Sequence, residues 1–221
     1  MTGGPARSES ILRVWTRSIL IAIAVWLFLR TFVVEAFRIP SGSMEGTLLV
    51  GDFLFVNKAF YRPRRGDLVV FESVEEPGKK LVKRLIGLPG DTVAMQGGTL
   101  IRNGARVAER YAVRSDPGRS ESPENRARMR AWQLPHLVGD DPDDYRPDLH
   151  DWGPLVVPPD SLFFLGDNRD GSYDGRYWGF VPRRNVRGHP MIIYFSCEPD
   201  SWNALPMLSR VRWGRIFSLP E

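Results

Sequence analysis

The chain has 221 residues, 43% of them apolar and 25% charged, an ordinary globular balance that excludes wholesale disorder. Glycine and proline together make 39 residues (21 + 18), which favours many turns and short strands over a helical bundle, and the single cysteine, Cys197, excludes an internal disulfide framework. The net charge of +4 argues against a nucleic-acid partner: residues 1–38 hold five Arg and two Glu, which is three of the four net charges, while residues 140–151 are acidic and would repel phosphates.

The first element is apolar. "SILIAIAVWLFL" (residues 18–29) carries no charge, and "TFVV" extends it beyond Arg30. Residues 15–34 as a helix would cover the roughly 30 Å hydrocarbon core of a bilayer, with Arg17 and Arg30 near the ends, where their stems reach the headgroups. Arg7, Arg13 and Arg17 precede the segment, so the positive-inside bias places the N-terminus in the cytoplasm and everything after Phe37 outside it. A cleavable signal peptide ending at "VEA" (34–36) is the competing reading, but Arg30 and three bulky apolar residues stand where such a signal prefers a short polar spacing. Residues 1–14 are therefore expected in the cytoplasm and residues 15–37 as a single anchor in the lipid bilayer.

Short apolar runs separated by turns follow: "FLFV", "DLVVF", "KLVKRLIG" and "TVAM", then "PLVV", "SLFFLG" and "MIIYFS". No helical apolar period is sustained after Phe37, so a mostly β extramembrane part is expected. Residues 114–151 are polar, rich in Pro, Arg and Asp and poor in aliphatics. They read as an excursion, much of it loop, between two β-rich blocks.

Three stretches could carry chemistry. The first, "RIPSGSMEGTLLVGD" (38–52), places Ser41 and Ser43 around a glycine directly after the apolar segment. It is readable as a flexible linker or as a nucleophile loop in which a second hydroxyl assists a developing oxyanion. The second is Lys83. Only four of the 30 basic residues are lysine, and this one lies in a strand-like run beside Leu81 and Leu85, with Val82, Arg84 and Ile86 on the opposite face. Arginine cannot lose its proton in a protein, whereas a desolvated lysine can. Unshifted, a neutral lysine at pH 7 would cost about 4.6 kcal/mol. A lysine snorkelling from a strand edge is the alternative. The third is "GDNRDGSYDGRYWGFVP" (166–182). It imitates the start of a calcium loop, but Val181 occupies the twelfth position, where a bidentate Glu belongs, so a turn braced by Asp/Arg pairs such as Asp174 with Arg176 is expected instead. His136, His150 and His189 are scattered and read as surface residues, and no metal site is expected.

"IPSGSMEGTLLVGDFLFVNK" (39–58), "VKRLIGLPGD" (82–91) and "GDNRDGSYDGRYWGFVP", in this order behind an apolar anchor, resemble bacterial signal peptidase I, the membrane-anchored Ser-Lys protease family that removes secretory signal peptides. The resemblance implies Ser43 as nucleophile, Lys83 as general base, Ser41 as side-chain donor to the oxyanion, Ser172 as the hydroxyl orienting the base, and Asp174 with Arg176 as a supporting pair. Met44 and Asp167 also fall on motif positions and are given structural roles. The implied fold is a mostly β catalytic core (38–101 and 152–221) with an inserted smaller β subdomain (102–151), after an N-terminal transmembrane helix. The implied partners are preproteins with small residues at −3 and −1, and the implied place is the bacterial cytoplasmic membrane with the catalytic part on its outer face. No cofactor is implied. A specialised Ser-Lys peptidase for a pilus or conjugation precursor, and a non-enzymatic anchored β-domain, are the alternatives. Two positions depart from the pattern: Gly46 stands where proline is usual, and Gly175 where serine is usual.

Overall fold

The computed structural model describes residues 11–59, 61–139, 142–198 and 210–220. It begins with helix α1 (Ile11–Phe28), which passes into a wide π turn at Leu29–Val33. Residues Arg13–Val33 form a helical segment long and apolar enough to cross a membrane, and its side chains from Arg13 to Phe28 are exposed. The chain then straightens at Val34, earlier than the Phe37 boundary expected from the sequence. Strand β1 (Val34–Arg38) pairs antiparallel with β2 (Asp52–Asn57), from Val34 opposite Asn57 to Arg38 opposite Phe53. Apolar residues continue on both sides of this point, with only Glu35 among them, so hydrophobicity alone does not mark the change from helix to strand.

The strands that follow are β3 (Leu68–Glu72), β4 (Lys80–Gly87), β5 (Thr92–Gln96), β6 (Thr99–Arg102) and β7 (Ala105–Arg106). After helix α2 (Pro123–Gln133) come β8 (Trp152–Val156), β9 (Ser161–Leu165), the one-turn helix α3 (Gly175–Trp178), β10 (Val181–Pro182) and β11 (Val186–Ser196). They make two antiparallel sheets, a seven-stranded one ordered β1-β2-β11-β3-β4-β9-β10 and a four-stranded one ordered β7-β6-β5-β8. The mostly β architecture read from the short apolar runs is the one observed. The small sheet, however, starts at Thr92 and closes with Trp152, so its strands lie on both sides of the 102 and 152 limits drawn for an insert.

The long strands divide their pairing. β4 pairs with β3 through residues 80–84 and with β9 through residues 84–87, with a register shift between Leu85 and Gly87. The Lys80–Lys83 portion therefore has β3 on one side and no strand on the other among the described residues. β1 is the edge strand of the same sheet. Residues of these two free edges line one cleft.

The core has three clusters. Ile86, Val93, Leu100, Trp152, Leu155 and Phe163 join the two sheets, with Met129 of α2 packed among them. Val69, Phe71, Leu85, Leu162, Phe164 and Val181 fill one face of the large sheet. Ile39, Met44, Leu48, Leu54, Val70, Val82 and Ile193 form the third, and two of these, Ile39 and Met44, flank the serine loop. Helix α2 falls where a loop was expected: its sequence is rich in Arg and other polar residues and only Met129 and Gln133 are fully buried. It starts on the Ser122 side chain, which accepts the Asn125 N–H, with Pro123 in the first turn, a good helix start.

Candidate active site

The serine loop is pinned at both ends. Ile39 and Met44 are fully buried, worth about 1.5–3 kcal/mol each, and the Ile39 N–H donates to the Asp52 carbonyl at 2.9 Å. Between them Gly42–Met44 forms a single 3-10 turn, closed by Glu45 N–H to Gly42 O at 3.0 Å. The amides before Glu45, that of Ser43 included, have no acceptor inside such a turn and remain available to an anion. Ser41 precedes the turn in extended backbone and does not use its hydroxyl as a cap. That oxygen stands 3.5 Å from Ser43 Oγ.

Lys83 is buried in β4, paired with Val69 of β3, on the face it shares with Leu81 and Leu85. Burial lowers its pKa to about 8; the Asp174 charge opposes this, Arg176 adds to it and Asp167 opposes it. With that shift the neutral amine at pH 7 costs about 1.4 kcal/mol rather than the 4.6 of an unshifted lysine. Its Nζ donates to Ser172 Oγ at 3.1 Å, and Ser172 is itself buried. The edge-lysine alternative does not survive this placement.

The segment 166–176 wraps both partners. Asn168 N–H donates to the Ser43 carbonyl at 3.2 Å, and Asn168 Nδ2 to the Gly42 carbonyl at 3.3 Å. At Gly166 a Cβ would lie 2.1 Å from Ser172 Oγ and 2.5 Å from the Ser43 carbonyl, so only glycine lets Ser172 and the serine loop meet here. Behind them Arg176 and Asp174, both fully buried, form a two-pronged pair with Nε–Oδ1 and Nη2–Oδ2 at 2.9 Å. Burial alone would raise the Asp174 pKa, but Arg176, Lys83 and the Gly166 N–H together hold it below the usual carboxylate range. The Asp174 oxygens are thus committed within the protein, in place of the calcium-loop role its spacing imitates.

Ser41, Ser43 and Lys83 line one cleft of about 560 Å³, with Ile39, Met44 and Val82 as apolar lining and Tyr173 among its exposed side chains. Ser172 touches Lys83 from behind, and Asp174 and Arg176 support Ser172's segment without lining the cleft. A second cavity of about 450 Å³ beside Tyr145 and Trp152 has neither serine nor lysine among its described lining residues. The histidines, expected at the surface, are half-buried and stand apart from the cleft: His189 bonds Leu68 O and stacks on Tyr61, and His136 packs edge-on against Phe180.

Residues 12–195 match the family described as "Signal peptidase, peptidase S26". The chain belongs to this family.

Among curated relatives, signal peptidase I of Pseudomonas aeruginosa is 37% identical over 92% of this chain and 79% of its own length. That of Leptolyngbya laminosa is 37% identical over 86% and 82%, and that of Aquifex aeolicus 36% over 91% and 93%. A solved signal peptidase I from Enterococcus faecalis is 30% identical, covers 59% of this chain and 98% of its own, and has a TM-score of 0.39.

Both departures from the signal peptidase pattern have a structural reason. Gly46 adopts φ +105°, which proline cannot, and a Cβ there would meet Val113 Cγ2 at 2.6 Å. At Gly175 a Cβ would lie 2.6 Å from the Phe164 carbonyl, so serine would not fit without a shift. Sequence reading passed over one network around this cleft. Arg84, next to Lys83, forms a buried pair with Asp167 (Nη2–Oδ2 2.6 Å), and Thr47 bonds the same carboxylate at 2.6 Å. This ties β4, the serine loop and the late segment together. The only signal was Arg84 alternating with Lys83 inside an apolar run.

Proposed function

We propose that the protein is a membrane-anchored serine endopeptidase that removes signal peptides from secreted preproteins, with Ser43 as nucleophile and Lys83 as general base. The observation that carries this reading is a lysine buried among leucines, with a lowered pKa and a bond to Ser172, in the same cleft as a serine on a tight turn.

In this mechanism neutral Lys83 accepts the Ser43 proton as Ser43 Oγ attacks the carbonyl of the −1 residue. The oxyanion is held by the Ser41 hydroxyl and the Ser43 N–H. Collapse breaks the peptide bond, Lys83 returns its proton to the leaving amine, and an acyl-enzyme on Ser43 remains. Lys83 then takes a proton from water, whose oxygen attacks the ester, and the Ser43 hydroxyl is restored by the same proton.

Substrate binding follows from the free edges of β1 and β4 flanking the cleft. An extended peptide laid between them would hydrogen-bond as an added strand. Residues −1 and −3 of such a strand share one face, here directed at Ile39, Met44 and Val82, which favours small side chains at both. The apolar helix and the arginines before it support a single span with the N-terminus in the cytoplasm and the cleft on the outer face of the cytoplasmic membrane.

Cleavage of a preprotein by the detergent-solubilised chain tests the assignment. Ser43→Ala and Lys83→Ala should each reduce the rate by roughly 10³-fold or more. Full activity in either variant would refute the dyad.

A further inference from the structure

Beside the catalytic cleft, where α1 runs into β1 and β2, lies another cavity, of about 720 Å³. Trp26 and Phe55 provide aromatic walls, and its charged groups are Arg30, Glu35, Lys58 and Lys80. Three cations and one carboxylate leave a formal charge of 3 − 1 = +2. Two of the four lysines in the chain are placed here, and Lys80 also lines the catalytic cleft.

The contacts these cations already make leave hydrogen-bond donors over. Lys58 Nζ donates to the Thr31 carbonyl at 2.6 Å, covering the carbonyl end of the helical segment, and Lys80 pairs with Glu35. Each ammonium carries three donors, so neither contact exhausts it. Arg30 lies over the Trp26 ring, 5.3 Å from its centroid, a contact made through the π face that leaves guanidinium N–H groups at the plane's edge free to donate. The two features that would repel an anion, Glu35 and the Thr31 carbonyl, are the ones the lysines already cover.

Depth selects the ligand. Arg30 is three residues from the end of the Arg13–Val33 segment, and Trp26 is one turn deeper on the same helix face. That is where a bilayer places phosphates above and interfacial tryptophans below. We propose that this cavity binds the headgroup of an anionic phospholipid of the phosphatidylglycerol type. Arg30, Lys58 and Lys80 donate to its phosphate oxygens, and Trp26 and Phe55 flank the glycerol and the first acyl carbons. This rests on the membrane-anchored reading of residues 13–33. A bound headgroup would fix the height of β1, and hence of the cleft edge, above the bilayer.

The test is reconstitution of the full chain into nanodiscs of equal phosphatidylglycerol and phosphatidylcholine, followed by native mass spectrometry of the released protein. The wild type should retain phosphatidylglycerol over phosphatidylcholine by about tenfold, as expected for a few cations acting at the headgroup layer. The double variant Arg30→Gln, Lys58→Gln should bring the ratio to about one, and Arg30→Lys, Lys58→Arg should keep most of the preference. No preference in the wild type, or full preference in the double glutamine variant, would overturn the proposal. Retained lipid in excess inorganic phosphate supports a lipid site, whereas replacement of the lipid by a phosphate adduct assigns the cavity to a soluble anion and overturns it. A chain that fails to enter nanodiscs at all refutes the anchor as well, whereas a chain that enters without preference refutes only the headgroup site.

Discussion

At the scale of single residues, the proposed chemistry depends on a lysine that the fold would be more stable without. A lysine whose folded pKa is lowered to about 8, against about 10.4 unfolded, binds protons less readily when native. The penalty is therefore present in full below pH 8 and is relieved as pH rises toward 10.5. Lys83→Met, similar in volume, should raise stability at pH 7 by about 3 kcal/mol and abolish cleavage, with the stability gain shrinking toward zero near pH 10. Thermal unfolding in detergent at the two pH values measures this. Gly166 is the second sensitive position, because a Cβ there would displace Ser172 and the serine loop together. Gly166→Ala should reduce kcat by about 100-fold while circular dichroism shows the strands retained, the loss expected when a base is moved by about 1 Å. Ser43, Lys83 and the 166–176 segment were legible in the sequence because each lies in a long contiguous motif. The role of Gly46 was not, since its positive φ follows from residues 111–113 closing over the turn, a contact 67 positions away in the case of Val113.

At the scale of elements, the site is held by buried charge pairs that join strands distant in sequence. Asp167 receives two guanidinium nitrogens of Arg84 and the Thr47 hydroxyl, and Arg169 pairs with Glu109 in the same buried layer. Breaking such a pair leaves an uncompensated charge. Asp167→Ala should destabilise the protein by about 3–5 kcal/mol, read from its urea unfolding midpoint, and a change within experimental error would show that the pair does not organise the site. No sequence pattern announces these pairs, because Arg84 and Asp167 are 83 residues apart. The strands were legible as short apolar runs bounded by Gly and Pro. Helix α2 was not, since an apolar stripe is the usual signal and its inward side is made of only Met129, Gln133 and the half-buried Trp132. Its start was nonetheless written in "SPE" (122–124), a capping serine followed by proline. β1 was hidden for the opposite reason: apart from Glu35, "VEAF" is as apolar as the helix before it, and the switch to strand is decided by its pairing with β2.

At the scale of the whole molecule, the anchor and the cleft are parts of one arrangement. The helical segment ends at Val33, β1 carries the chain five residues in extended form, and the serine turn begins at Gly42, so with that segment in a bilayer the proposed nucleophile Ser43 would stand within about 30 Å of it. A peptide whose cut site emerges at the membrane surface could reach it without a large excursion. All of this assigns the chemistry to neutral Lys83, and the pH dependence of kcat/KM for preprotein cleavage by the full chain in detergent tests that assignment most directly. The account predicts a rate that rises about tenfold per pH unit on the acid side and levels off with a midpoint near 8, as Lys83 loses its proton. A rate that is flat from about pH 6 to 9, or that falls as pH rises through 8, would contradict it.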